Sequence, residues 1–261
     1  MPFLVADVSR HQGDRVAFDV IAAHPDMVGV IVKISEGLHY APREWIAHNW
    51  PAARAAGGVR YGDTWFRGAY HYLRINVDGA KQADFFLDAI ERAGGWGHGD
   101  MMPFVDAEAS NNEDATREDV IECVSAFARR IKERTGRGTI YYGRGFMRDL
   151  GIASRMGCVA IWNAGYTATM PMTGLAPAFD RDDVVLWQYT DGTNGSTAHG
   201  LPLKLPGWSG GLDLNVYVDG NRKPLIGRLR SRLLGSALDS LTVLVLIAVG
   251  ALLLSRVGGL A

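Results

Sequence analysis

Short apolar runs alternate with stretches of helical spacing from residue 3 to about residue 151. Residues 3–8 are apolar and β-prone, and residues 28–34 form a continuous apolar run, as a strand buried on both faces does. Residues 68–73, 102–107 and 139–143 repeat the strand signal. Between them, residues 14–21 start a short helix with an acidic first turn, and 43–56 have helical spacing that stops at Gly57-Gly58. Residues 79–93 form a helix closed by Gly94-Gly95, and 146–151 a short one. Residues 112–135 form a long helix, with Asp114 or Thr116 as N-cap and Gly136 as its stop. Three further strands, at 158–163, 184–189 and 212–218, follow without long helices between them. Alternation of this kind predicts a parallel sheet. Eight strands predict a closed α/β barrel of TIM type with a degenerate second half.

In such barrels the chemistry gathers at the carboxyl ends of the strands. Asp7, Lys33 with Glu36, His71, Asp106 with Glu108, Tyr142, Asn163, Gln188 and Asp213 all fall there. Within Pro103-Phe104-Val105-Asp106-Ala107-Glu108, strand alternation turns Asp106 and Glu108 to one side. Two neighbouring carboxylates repel when both are ionised, so one keeps its proton near neutral pH, as general acid catalysis requires. A bare D-x-E is also what a strand ending in a solvated acidic loop looks like, so the weight rests on the other strand exits.

Composition narrows the partners. A formal net charge of -1, without a Lys/Arg run before the C-terminal segment, gives no reason to expect nucleic acid. Seven Trp and nine Tyr, many beside Gly or at strand ends, suit either core packing or a cleft for flat sugar faces. Cys123 and Cys158 have no metal-ligand spacing and read as two buried thiols. His71 has no companion ligand at useful spacing and reads as a hydrogen-bonded barrel residue. The first residues read as a strand, with no conventional signal peptide. Neither a cofactor nor a metal site is expected.

The chain resembles the glycoside hydrolase family 25 lysozymes, the Chalaropsis-type muramidases. The resemblance is carried by Asp7-Val8-Ser9-x-x-Gln12-Gly13, Lys33-Ile34-Ser35-Glu36-Gly37, Gly68-Ala69-Tyr70-His71-Tyr72 and Val105-Asp106-Ala107-Glu108. It continues through Ile161-Trp162-Asn163-Ala164-x-Tyr166, Trp187-Gln188-Tyr189 and Asp213-Leu214-Asn215, in the family's order, over residues 3–220. It implies a (β/α)5(β)3 barrel that cleaves the β-1,4 bond between N-acetylmuramic acid and N-acetylglucosamine in bacterial peptidoglycan. It further implies Glu108 as general acid, with Asp7, Asp106 and Asp213 assisting. Retention of configuration is implied, with help from an aspartate or from the substrate's N-acetyl group. Lys33, Glu36, Tyr70, Tyr72, Tyr142, Trp162 and Gln188 are the candidate substrate contacts. Two segments depart from the pattern: 49–67 is long, with Trp65-Phe66 placed near the cleft, and 202–210 looks inserted.

Beyond the barrel, assigned to residues 1–220, the composition changes. Arg222, Lys223, Arg228, Arg230 and Arg232 make residues 221–232 a basic linker. Residues 233–255 carry only Asp239 as a charge and approach the roughly 20 residues that span a bilayer. A single-pass C-terminal transmembrane helix is the expectation, with the barrel on the cytoplasmic side by the positive-inside rule. A phage endolysin made in the host cytoplasm, held at the host cell membrane and exposed to the wall by a separate membrane-lesion protein, reconciles that topology with an external substrate. Two other readings compete: a catalytically silent, membrane-tethered glycan-binding barrel, and a site whose four acids ligate a hard cation.

Overall fold

The computed structural model describes residues 3–57, 65–97, 99–143, 145–167, 169–170, 175, 177–195, 197 and 200–218. Eight strands close into a barrel in sequence order. They are β1 (Leu4–Val8), β2 (Met27–Glu36), β3 (Phe66–Tyr72), β4 (Phe104–Asp106), β5 (Thr139–Tyr142), β6 (Cys158–Ala164), β7 (Val184–Thr190) and β8 (Asp213–Tyr217). Strands β1 to β7 run parallel. β8 is antiparallel to both β7 and β1 and so closes the ring. Helices α1 (Phe18–Ala23), α2 (Arg43–Ala55), α3 (Gly79–Arg92), α4 (Arg117–Thr135) and α5 (Phe146–Asp149) each follow one of the first five strands.

Strand alternation builds two cores. Val5, Ile31, Phe66, Phe104, Ile140, Ala160, Leu186 and Tyr217 fill the barrel's interior. Leu4, Ala6, Val30, Val32, Ala69, Val105, Tyr141 and Ile161, at the alternate positions, pack outward under the helices. The helices α3 and α4 touch closely at Gly79, where a Cβ would fall 2.0 Å from Cys123 O. Asp78 caps α3 through Ala80 N and Lys81 N. Thr116 and Asp119 cap α4 reciprocally, and Gly136 ends it at φ +70°. Both thiols are buried and free.

Three local expectations give way to tertiary contacts. Helix α1 starts at Phe18 instead of Asp14, because Asn49 and Trp45 bond the backbone of the preceding loop. Asn49 accepts from Val16 N at 2.9 Å and donates to Asp14 O at 3.0 Å, while Trp45 donates to Gly13 O at 2.8 Å. Helix α4 starts after Thr116 instead of at Asn112, whose side chain is held by the β3 and β4 exits. Trp65-Phe66 lie at the amino end of β3, away from the strand exits, with Trp65 donating to Ala53 O at 2.7 Å. The inserted segment packs on the outside of the barrel through buried Leu205.

The expected transmembrane helix is corrected. Among the described residues no helix is long and apolar enough to cross a membrane. Helix length and composition set that limit, because the barrel's helices are amphipathic, with one face on the sheet and the other in water. The segment 233–255 and the basic linker lie outside the described residues.

Candidate active site

Four carboxylates meet at one end of the barrel, above an aromatic floor. Asp7 leaves β1 and Asp213 opens β8, directly paired across the antiparallel ladder. Asp106 ends β4, and Glu108 stands two residues further on, half-buried in the loop. Below them Trp162 packs against Tyr142, Phe104 and Tyr70, with ring centroids 4.5, 5.3 and 6.2 Å apart. This floor is the polar limit of the inner core, so the acids sit where low-dielectric packing meets the open cleft.

That placement governs their protonation. Burial raises Asp106 well above the usual carboxylate range, and repulsion from Glu108 adds to it, with Lys33 opposing. Burial also raises Glu108, against the pull of Lys33. The pair therefore keeps a proton at neutral pH, chiefly through desolvation, with the repulsion that Glu108 exerts on Asp106 second. Asp213 is pushed up to about 9 by burial and by the Asp7 charge, whereas Asp7 rises to about 6 because hydrogen bonds offset part of its burial. Those bonds come from Asn215 Nδ2 at 2.9 Å and Gln188 Nε2 at 3.1 Å. Gln188 Nε2 lies 3.4 Å from Asp213, and its Oε1 accepts from Tyr142 at 2.8 Å and Tyr166 at 3.4 Å.

The β4 exit is held from both sides. Tyr141 donates to Ala107 O at 2.9 Å. Asn112 donates to Glu108 O at 2.8 Å and Leu73 O at 3.1 Å, and accepts from Ile75 N at 2.8 Å. Glu108 is thus carried on a short loop fastened to β3 and β5.

On the neighbouring wall, the register slips between Lys33 and Ser35. The bulge brings Lys33 and Glu36 to the same side, where they pair at 2.8 Å. Arg74 also pairs with Glu36. Burial alone would raise Glu36, but Lys33 and Arg74 hold it below its usual value. Lys33 lies 4.8 Å from the Tyr72 ring centroid and 5.7 Å from that of Tyr40, and Tyr72 donates to Ser110 O. His71, at the alternate β3 position, faces outward, bonded to Ser35 and Gln82 and stacked on Phe127. Burial lowers it to about 4, so it stays neutral. Among the described residues, no three His, Cys, Asp or Glu side chains are set to hold one metal ion.

The candidate catalytic and substrate-contact residues line or underlie this end of the barrel, in different capacities, whereas His71 faces outward and Asn163 alternates with the inward Trp162. Tyr70, Tyr142 and Gln188 adjoin the acids, Tyr72 and Lys33 form a wall with Glu36, and Trp162 is buried beneath. Four contributors were not singled out. Asn215 had a signal, since it shares Asp213's face two residues on. Arg74, Asn112 and Tyr141 had none, because only the packed loops bring them here.

Raised carboxyls make a stability prediction. A carboxyl whose folded pKa exceeds its unfolded value stabilises the fold only while protonated. For Asp213 that contribution is complete below the ordinary value of 3.8 and is lost as pH rises towards about 9. Asp213→Asn keeps the shape without the charge. Its melting temperature should fall less than the wild type's between acid and alkaline pH, and identical slopes in the two proteins would refute the burial of this charge.

The family model for glycosyl hydrolases family 25 matches residues 6–197. A family 25 glycosyl hydrolase from Bacillus anthracis superposes with TM-score 0.65 at 23% identity, over 86% of this chain and 92% of that one. The bacterial lysozyme from Streptomyces coelicolor gives 0.66 at 23%, over 89% and 99%. The catalytic domain of endolysin ply40 from bacteriophage P40 of Listeria monocytogenes gives 0.57 at 20%, over 88% and 98%. At these identities the superpositions speak for the fold. No curated protein sequence matches the chain.

Proposed function

We propose that this chain, which belongs to the family 25 glycosyl hydrolases, is a peptidoglycan muramidase cutting the β-1,4 bond between N-acetylmuramic acid and N-acetylglucosamine. The observation that carries the reading is the convergence of Asp7, Asp106, Glu108 and Asp213 over one aromatic floor, with burial raising all four and hydrogen bonds holding Asp7 lower than Asp213. Glu108 is the general acid: burial raises its carboxyl, yet it stays half-exposed towards the cleft. It protonates the leaving O4 of the glucosamine unit as the C1–O bond of the muramic acid unit breaks. Its carboxylate then takes a proton from the water that completes hydrolysis.

Asp106 assists. Among the described residues no donor reaches its buried Oδ1. A substrate N-acetyl N–H placed there would satisfy that oxygen, favour the charged form of Asp106 and leave the shared proton on Glu108. Asp7, with the protonated Asp213 bonded beside it, supplies charge next to the forming oxocarbenium ion. Rings and cations of the Tyr72–Lys33–Arg74 wall flank the glycan.

A phage endolysin, released to the wall by a separate membrane-lesion protein, is the biological setting we favour. Its support is the likeness to a phage endolysin catalytic domain. Mass spectrometry of purified peptidoglycan after digestion tests the activity. Fragments ending in reducing N-acetylmuramic acid are expected. Reducing N-acetylglucosamine ends would change the bond assigned, and undigested but bound glycan would favour the silent barrel.

A further inference from the structure

We propose that Trp162 and Asn215 are positioning residues that decide which carboxyl of the Asp7–Asp213 pair is charged, an inference that rests on the muramidase reading. An amide has two ends of similar shape and opposite hydrogen-bonding character. Asn215 is fully buried inside the barrel with both ends engaged. Trp162 Nε1 approaches its Oδ1 at 2.6 Å, and an indole N–H can only donate. The amide nitrogen is thereby turned away, to Val5 O at 2.9 Å and Asp7 Oδ2 at 2.9 Å. Val5 O can only accept, so it enforces the same orientation. A flipped amide would oppose donor to donor and acceptor to acceptor at three contacts.

The second amide is oriented likewise. The Tyr142 and Tyr166 hydroxyls meet Gln188 Oε1, which leaves its Nε2 for the acids. Two N–H groups therefore converge on Asp7 Oδ2, whereas among the described residues Asp213 has only the longer approach of Gln188 at 3.4 Å. Donors favour an anion, so Asp7 is the carboxylate and Asp213 the acid bonded to it. The other charged and titratable groups facing the pair are Tyr70 from β3, Asp106 and Glu108 from the β4 exit, Tyr142 from β5, Tyr166 after β6 and Asp191 after β7. None of them distinguishes the two carboxyls by hydrogen bonding as the amides do. Trp162 thus acts on the reaction from beneath, through Asn215, and not as a sugar platform.

The test uses the full-length chain with Trp162→Phe, which keeps a ring and loses the N–H, and Asn215→Leu, which loses both polar ends. Reducing ends released from peptidoglycan are followed against pH, and circular dichroism checks folding. With its donor loosened, Asp7 should take up a proton at higher pH. The acid limb of kcat/KM should move up by about one pH unit, the scale of one charge-assisted bond, and kcat should fall about tenfold with KM little changed. The double variant should be no worse than Asn215→Leu alone, because the tryptophan acts through the asparagine. If Trp162→Phe raises KM and leaves kcat and the acid limb unchanged, Trp162 touches substrate and the inference is overturned. Carboxyl ¹³C titration reads the same point without turnover: Asp7 should ionise first in the wild type, and the gap to Asp213 should narrow in Trp162→Phe. An unchanged gap overturns the inference in a working muramidase. A wild type that cuts no glycan refutes the functional reading instead, and the titration alone then decides this one.

Discussion

Glu108→Gln is expected to lower wall hydrolysis by at least about two orders of magnitude, the scale of a lost general acid, without unfolding the protein. Gln keeps the volume and the half-buried position on a loop that is tied down by backbone contacts, with Asn112 bonded to Glu108 O and Tyr141 to Ala107 O. Neither contact uses the carboxyl. What is lost is the proton that Glu108 donates and takes back. Since burial raises this carboxyl, the wild type's activity should fall on the alkaline side, as rising pH removes that proton. A folded Glu108→Gln protein that clears wall suspensions at near wild-type rate would end the assignment.

Asp106→Asn should be the second most damaging change, costing about tenfold to a hundredfold in kcat/KM. Two effects combine. The amide cannot become the anion that a substrate donor at Oδ1 would stabilise. Removing the carboxyl also removes the partner with which Glu108 shares a proton. With substrate holding Asp106 as the anion, that charge keeps the proton on Glu108; without it Glu108 ionises more readily, so the alkaline limb of the pH profile should move to lower pH. The direction is the informative part: an unmoved limb would mean that the two acids titrate independently, and a limb moved upward would reverse the coupling.

The two effects differ in origin from what the D-x-E spacing alone suggests. Spacing places the two acids on one face and points to repulsion as the cause of a retained proton. In the folded chain burial is the larger cause, and repulsion ranks second and bears on Asp106. Desolvation depends on Trp162, Phe104 and Tyr142 beneath the acids, which lie on different strands.

Much of this protein was legible from local pattern. Apolar runs, their alternation with helical spacing, and glycine stops gave the eight strands and their order, because each signal depends on neighbours a few residues away. The order of the polar strand exits likewise identified the family and brought Asp7, Asp106, Glu108 and Asp213 together as candidates. The apolar composition of residues 233–255 was equally plain, but that segment lies outside the described residues, among which no helix is long and apolar enough to cross a membrane. Tertiary structure alone decided the rest. The bulge after Lys33 turned Glu36 to the same wall, Asn112 left the helix to hold the Glu108 loop, and Trp162 went beneath the acids to set an amide. Each of these outcomes depends on register and on contacts between residues far apart in the chain, and the same contacts exclude the water that would otherwise level the four acids to one protonation state.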